Sequence, residues 1–160
     1  AGTLANPILL DKLGVNYTII NKEPHGQFAH TPEPLKEHLS TVMKTVEQGN
    51  YDIGFVQDPD ADRLVIIDEN GHFIGEDYSL AFCIDYVLGY EEIKASNKEV
   101  VVNLSTSNVI NYICNKHNAN LYHTKIGEPN VTAKLKEINA GNFKVSKKVI
   151  KYHNDTFINI

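Results

Sequence analysis

Apolar positions along the chain switch repeatedly between helical and extended spacing. Ile8, Leu9, Leu10 and Leu13 follow Asn6-Pro7 and precede Gly14, which predicts a short helix capped at Asn6 and stopped by the glycine. Val15 to Ile20 reads as a strand. From Pro32 to about Gln48, residues Leu35, Leu39, Val42, Met43 and Val46 share one helical face, with Thr31 as N-cap and Gly49 as stop. Ile53 to Val56 and Leu64 to Ile67 read as buried strands. Asn70-Gly71 predicts a two-residue hairpin turn that returns through His72-Phe73-Ile74. Glu76 and Asp77 open a helix through Leu88 that is apolar nearly all round, and so is expected to be buried.

A polar break from Gly89 to Lys98 separates a second unit. There Val100 to Leu104 and Leu121 to Lys125 are expected strands. Ser107 caps a helix that turns Val109, Ile110, Ile113 and Cys114 inward. Glu128-Pro129 opens a last helix with Val131, Leu135 and Ile138 at helical spacing. Strands alternating with helices predict an α/β protein of two consecutive mixed, mostly parallel units. The expected bounds are 1–92 and 97–140, with a lysine-, asparagine- and isoleucine-rich tail over 141–160.

Composition narrows the partners. A hydrophobic share of 42% suffices for a core, while a net charge of −5 supplies no basic stripe for nucleic acid. No apolar run approaches the ~20 residues of a membrane helix, and no signal peptide opens the chain, so a cytoplasmic protein without membrane contact is expected. Cys83 and Cys114, both on expected helices, read as buried reduced thiols. The histidines form no His-x-x-x-His or Glu-x-x-His cluster, which argues against zinc, and His25 and His30 read as turn residues. Asn103, Ser105, Thr106 and Ser107 lie where a strand meets a helix, a place for oxyanion contacts or simply for capping.

The strongest chemistry lies at Asp58-Pro59-Asp60-Ala61-Asp62-Arg63, between the two apolar runs of the first unit. Carboxylates this close repel one another and resist removal from water. Either the segment is a solvated acidic turn, or a divalent cation holds it together; oxygen-only ligands favour magnesium or calcium. Arg63 adds a planar donor fork suited to phosphate. An EF-hand reading places Asp58, Asp60, Asp62 and Glu69 correctly but puts Arg63 where a glycine is needed, and no helix pair flanks the loop.

Asp58 to Arg63 resembles the Asp-Gly-Asp-Gly-Asp-Arg metal loop of the α-D-phosphohexomutases, with Pro59 and Ala61 in place of the glycines. Phe28 to Pro34 is similar to the family's Phe-x-x-x-Pro-Glu-Pro segment. Asp68-Glu69-Asn70-Gly71 with Gly75-Glu76, and Thr124 to Glu128, resemble later segments in the same order. The resemblance covers roughly residues 1–140 and identifies the chain with most of domain 2, less its first strand, and part of domain 3.

The resemblance implies an isomerase that moves a phosphoryl group reversibly between the 1- and 6-positions of a hexose phosphate, through a bisphosphate and an enzyme phosphoserine. It implies Mg2+ on Asp58, Asp60 and Asp62, a catalytic Arg63 on the phosphate, and substrate contacts from Lys125 and Glu128. Glu128 reads equally well as a helix-capping acid. Ser40, Ser79, Ser96, Ser105, Ser107 and Ser146 stand in no loop like the family's phosphoserine loop, so the chain alone is expected to be inactive. The alternative is a non-catalytic cation-binding or assembly module derived from such an enzyme. Neither the particular hexose nor an oligomeric state is legible.

Overall fold

A computed structural model describes residues 2–28, 31–90 and 98–142. The expected tail falls outside the described residues, except that the last helix runs on to Asn142. The fold is mixed α/β, in two compact units, Ala1–Val87 and from Leu88 onward.

The first unit begins with α1, Gly2–Leu13, which starts ahead of the expected cap and carries Pro7 inside it. The Asn6 side chain does not cap the helix but donates to Gln57 Oε1 at 2.7 Å. Gly14 ends α1 as expected: at φ +67 its N–H reaches Asp11 O, while the Val15 N–H reaches back to Leu10 O. Val15–Ile20 forms no ladder among the described residues, so the expected strand is not made. Its side chains anchor it instead, Tyr17 to Asp11 at 2.9 Å and Thr18 to Tyr51 at 2.7 Å.

The long helix expected from Pro32 is broken. Pro34 keeps Glu33 out of helical conformation, the Leu35 N–H closes a tight turn on Glu33 O at 2.8 Å, and a 3-10 turn Lys36–His38 precedes α2, Ser40–Gly49. Leu35 is therefore exposed, whereas Leu39 and Val46 are buried. Asn50, in the left-handed region, ends α2 in place of Gly49.

Strands β1 (Ile53–Gln57) and β2 (Leu64–Asp68) pair antiparallel, Gln57 opposite Leu64 and Ile53 opposite Asp68. Antiparallel pairing follows from the short connection, since a parallel pair needs a crossover of about a dozen residues. Val56, Val65 and Ile67 pack with Leu39 and Val46 into the core, bordered by Val42, Met43, Tyr51 and Phe73. The strands are buried on that face only: Ile53 and Phe55 are exposed.

Beyond β2 the turn has three residues rather than two. The Gly71 N–H bonds Asp68 O, the Asp68 N–H bonds His72 O, and Gly71 takes φ +77, as in a type I turn followed by a left-handed residue. Phe73 then bridges back to Ile67. Helix α3, Glu76–Gly89, buries Ser79, Ala81 and Leu88 but leaves Tyr78, Leu80, Phe82 and Tyr86 exposed. Its all-round apolar sequence is covered on one side only by the described residues. Cys83 is likewise exposed, against expectation.

In the second unit, β3 (Glu99–Asn103) and β4 (Asn120–Thr124) are parallel, joined through α4, Val109–His117. Both strands start one residue earlier than expected. Ile110, Ile113 and Cys114 of α4 are buried, as is Val102, and burial pushes the Cys114 thiol up. Ser107 Oγ accepts from the Val109 N–H at 3.4 Å and so caps α4 as expected. Helix α5, Glu128–Asn142, lies against β3 and β4, though Leu135 is exposed rather than inward.

Candidate metal centre

The β1–β2 connection is built to crowd its acids. Asp58 opens a turn in which the Ala61 N–H returns to Asp58 O at 3.1 Å, with Pro59 at the position where its fixed φ is favoured. Ala61 takes φ +65, a left-handed conformation that usually falls to glycine. The Arg63 N–H then closes on Asp58 Oδ1 at 3.2 Å. Pro59 thus suits its position, whereas Ala61 is strained.

Asp58, Asp60 and Asp62 each place a carboxylate oxygen within 4.8 Å of the others. Partial desolvation works against ionisation of Asp58, yet the Arg63 N–H and hydrogen bonds with Asp62 and Asp60 hold its carboxyl below the ordinary value. Asp62 is pushed up, first by its hydrogen bond to Asp58 and then by repulsion from Asp60 and Asp58, with Arg63 opposing. A divalent cation would relieve this repulsion. The donor set fits such an ion in kind: three carboxylates with oxygens within 4.8 Å of one another are hard ligands of the type Mg2+ takes.

Arg63 Nε lies 3.3 Å from Glu76 Oε1, both side chains being 43% exposed. The base of the loop is held on both flanks, since Gln57 accepts from Asn6 and the Leu64 carbonyl accepts from Ser79 Oγ at 2.6 Å. In the sequence Asn6 reads only as a helix cap, Ser79 only as a serine outside any phosphoserine-like loop and Glu76 only as a helix opener, and Gln57 carries no signal.

Lys125 lies in the β4–α5 connection and Glu128 opens α5, both in the second unit. Lys125 is exposed, and Glu128 Oε1 accepts from Thr132 Oγ1 at 2.9 Å one turn along α5. Glu128 thus occupies the capping-end position that its sequence allowed. Asn103 Oδ1 accepts from the Ser105 N–H and hydroxyl and from Thr106 Oγ1, which organises the β3–α4 loop around itself. His25 Nδ1 accepts from the Gln27 N–H, as a turn residue does, whereas His30 is outside the described residues.

Two family models match this chain: "Phosphoglucomutase/phosphomannomutase, alpha/beta/alpha domain II" over residues 1–71 and domain III over residues 75–143. The junction puts α3 within the domain III match, although α3 packs with the first unit as far as Val87. A phosphoglucomutase/phosphomannomutase of Thermococcus kodakarensis is 39% identical over 140 residues, 87% of this chain and 30% of the relative. A phosphomannomutase of Methanocaldococcus jannaschii is 32% identical, over 88% of this chain and 31% of its own length. The crystal structure of a family protein from Burkholderia thailandensis superposes with a TM-score of 0.72 at 25% identity, covering 86% of this chain and 30% of that one. The chain spans about 30% of the length of the curated relatives it matches. It belongs to the phosphoglucomutase/phosphomannomutase family, of which it carries domains II and III.

Proposed function

We propose that this chain forms the cation- and phosphate-handling middle part of a phosphohexomutase. The reaction is the reversible transfer of a phosphoryl group between the 1- and 6-hydroxyls of a hexose, with the phosphoserine contributed from outside this stretch. Asp58, Asp60 and Asp62 hold Mg2+ through carboxylate oxygens. Held there, Mg2+ would supply charge neutralisation to the transferring phosphoryl oxygens. Arg63 grips that phosphate with its donor fork, and its Nε contact with Glu76 aims the guanidinium. Lys125 supplies a cation, and Glu128 an acceptor, to the hexose phosphate from the second unit; positioning of this kind carries much of the rate in phosphoryl transfer.

The convergence of the three aspartates within 4.8 Å, directly before an arginine, carries this reading. Mg2+ titration of the 160-residue chain, followed by amide NMR, tests it. The expected result is saturable shifts at Asp58–Arg63, with an affinity weakened at least about tenfold, or ~1.4 kcal/mol, in Asp60→Asn. Shifts confined to other segments, or an Asp60→Asn chain that binds as tightly, would falsify the assignment.

A further inference from the structure

The chain that leaves β2 folds back along that strand's outer edge and makes a series of rungs. The Asp68 N–H bonds His72 O at 3.0 Å and the Ile74 N–H bonds Ile66 O at 3.0 Å. The next acceptor in this alternation is the Leu64 carbonyl. Among the described residues no backbone N–H of a third strand takes it, because α3 has begun at Glu76. Ser79 takes it with its hydroxyl at 2.6 Å, from a residue only 8% exposed. A side chain thus completes an edge that the backbone has abandoned, and it does so at the residue immediately after Arg63.

Glu76, three residues earlier and so on the same face of α3, meets Arg63 Nε at 3.3 Å. We infer that the first turn of α3 positions the exit of the aspartate loop: Ser79 fixes Leu64 and with it the backbone at Asp62 and Arg63, while Glu76 orients the Arg63 guanidinium. Both act through Leu64 and Arg63 and so are positioning residues. The function of this bracket rests on the reading of Asp58, Asp60 and Asp62 as cation ligands; its geometric part does not. A loop carrying mutually repelling carboxylates needs such a restraint, since repulsion alone would spread them.

The test compares Ser79→Ala and Ser79→Thr with wild type, using Val46→Ala as a destabilised control whose change lies in the core away from the loop. In the metal-free chain, Ser79→Ala is expected to shift the Asp62 and Arg63 amide signals. It is also expected to raise the Mg2+ Kd about three- to tenfold, the low end of the effect seen for partners of metal ligands. Ser79→Thr keeps the hydroxyl and restores both readouts, and Val46→Ala loses stability with an unchanged Kd. Wild-type signals and Kd in Ser79→Ala overturn the inference, as does a Val46→Ala chain whose Kd rises equally. If wild type takes no Mg2+ at the loop, the cation reading fails, and the metal-free Asp62 and Arg63 signals decide the positioning claim alone. Should Ser79→Ala not fold, Ser79→Cys, similar in size but a weak donor, is read in the same way.

Discussion

The two connections at either end of β2 are the same turn put to different uses. Asp58-Pro59-Asp60-Ala61 and Asp68-Glu69-Asn70-Gly71 both close through an N–H of the fourth residue on the carbonyl of the first, at 3.1 and 2.9 Å. In both, the fourth residue is left-handed, φ +65 and φ +77. In both, the leading aspartate accepts backbone N–H groups, from Arg63 in one and from Asn70 and His72 in the other. The second turn is locally satisfied: glycine occupies the left-handed position, and its acid is neutralised by donors of its own turn. The first sets an alanine where glycine belongs and adds two more carboxylates facing the first. One turn is optimised for stability, while the other holds strain and repulsion in place, as functional loops do.

The largest expected effect that would break this comparison is at Gly71. A Cβ there meets Met43 O at 2.7 Å and Glu47 Cβ at 2.9 Å, at φ +77. Gly71→Ala should therefore cost about 2–4 kcal/mol in urea unfolding, combining left-handed strain with overpacking. A loss below about 0.5 kcal/mol, the level of an ordinary surface substitution, would show that the turn is not a fixed part of the fold.

The matching change in the other turn has the opposite sign. Ala61→Gly relieves about 1–2 kcal/mol of left-handed strain against roughly 0.5–1 kcal/mol of backbone entropy. The chain should gain about 0.5 kcal/mol, read as a higher urea midpoint. A destabilised Ala61→Gly chain would mean that the alanine methyl makes contacts worth more than its strain.

The smallest effect concerns pH, because neither acid is buried and water screens both. His72 and Asn70 N–H groups hold the Asp68 carboxyl below its ordinary value, with the His72 backbone contributing most. Its contribution to stability is present above the unfolded-state pKa and is lost as pH falls through the folded one. Asp62 is shifted up, so its contribution is present at low pH and is lost as pH rises through its folded pKa. Asp68→Asn should flatten the acid limb of the metal-free stability curve, and Asp62→Asn should remove a decline on raising the pH. Curves tilted in the same direction by both variants would refute the contrast between the turns.

Much of this was legible in the chain. Apart from the strand expected at Val15–Ile20 and the helix expected from Pro32, the order of helices and strands, the acidic loop between two apolar runs, the Gly14 stop and the Ser107 cap follow from local periodicity and turn chemistry, which act over a few residues. Pro34 carried the signal that breaks the helix expected from Pro32, and the rule for residues before proline was outweighed there by the apolar spacing of Leu35 and Leu39. The candidate residues were legible too, because Asp58, Asp60 and Asp62 alternate over a few contiguous positions, and the structure brings their carboxylate oxygens within 4.8 Å.

By itself, then, the sequence determined the α/β order, the family and the candidate ligands, all of them properties of contiguous residues. Only the tertiary structure decided which faces those elements cover, leaving Ile53, Phe55 and much of α3 exposed, and which distant groups hold the loop. The Asn6–Gln57 bond joins residues 51 apart, and the Ser79–Leu64 bond joins residues 15 apart. Neither is written in any local pattern, because a hydroxyl or amide finds its acceptor only after the packing of α1 and α3 has brought the two together.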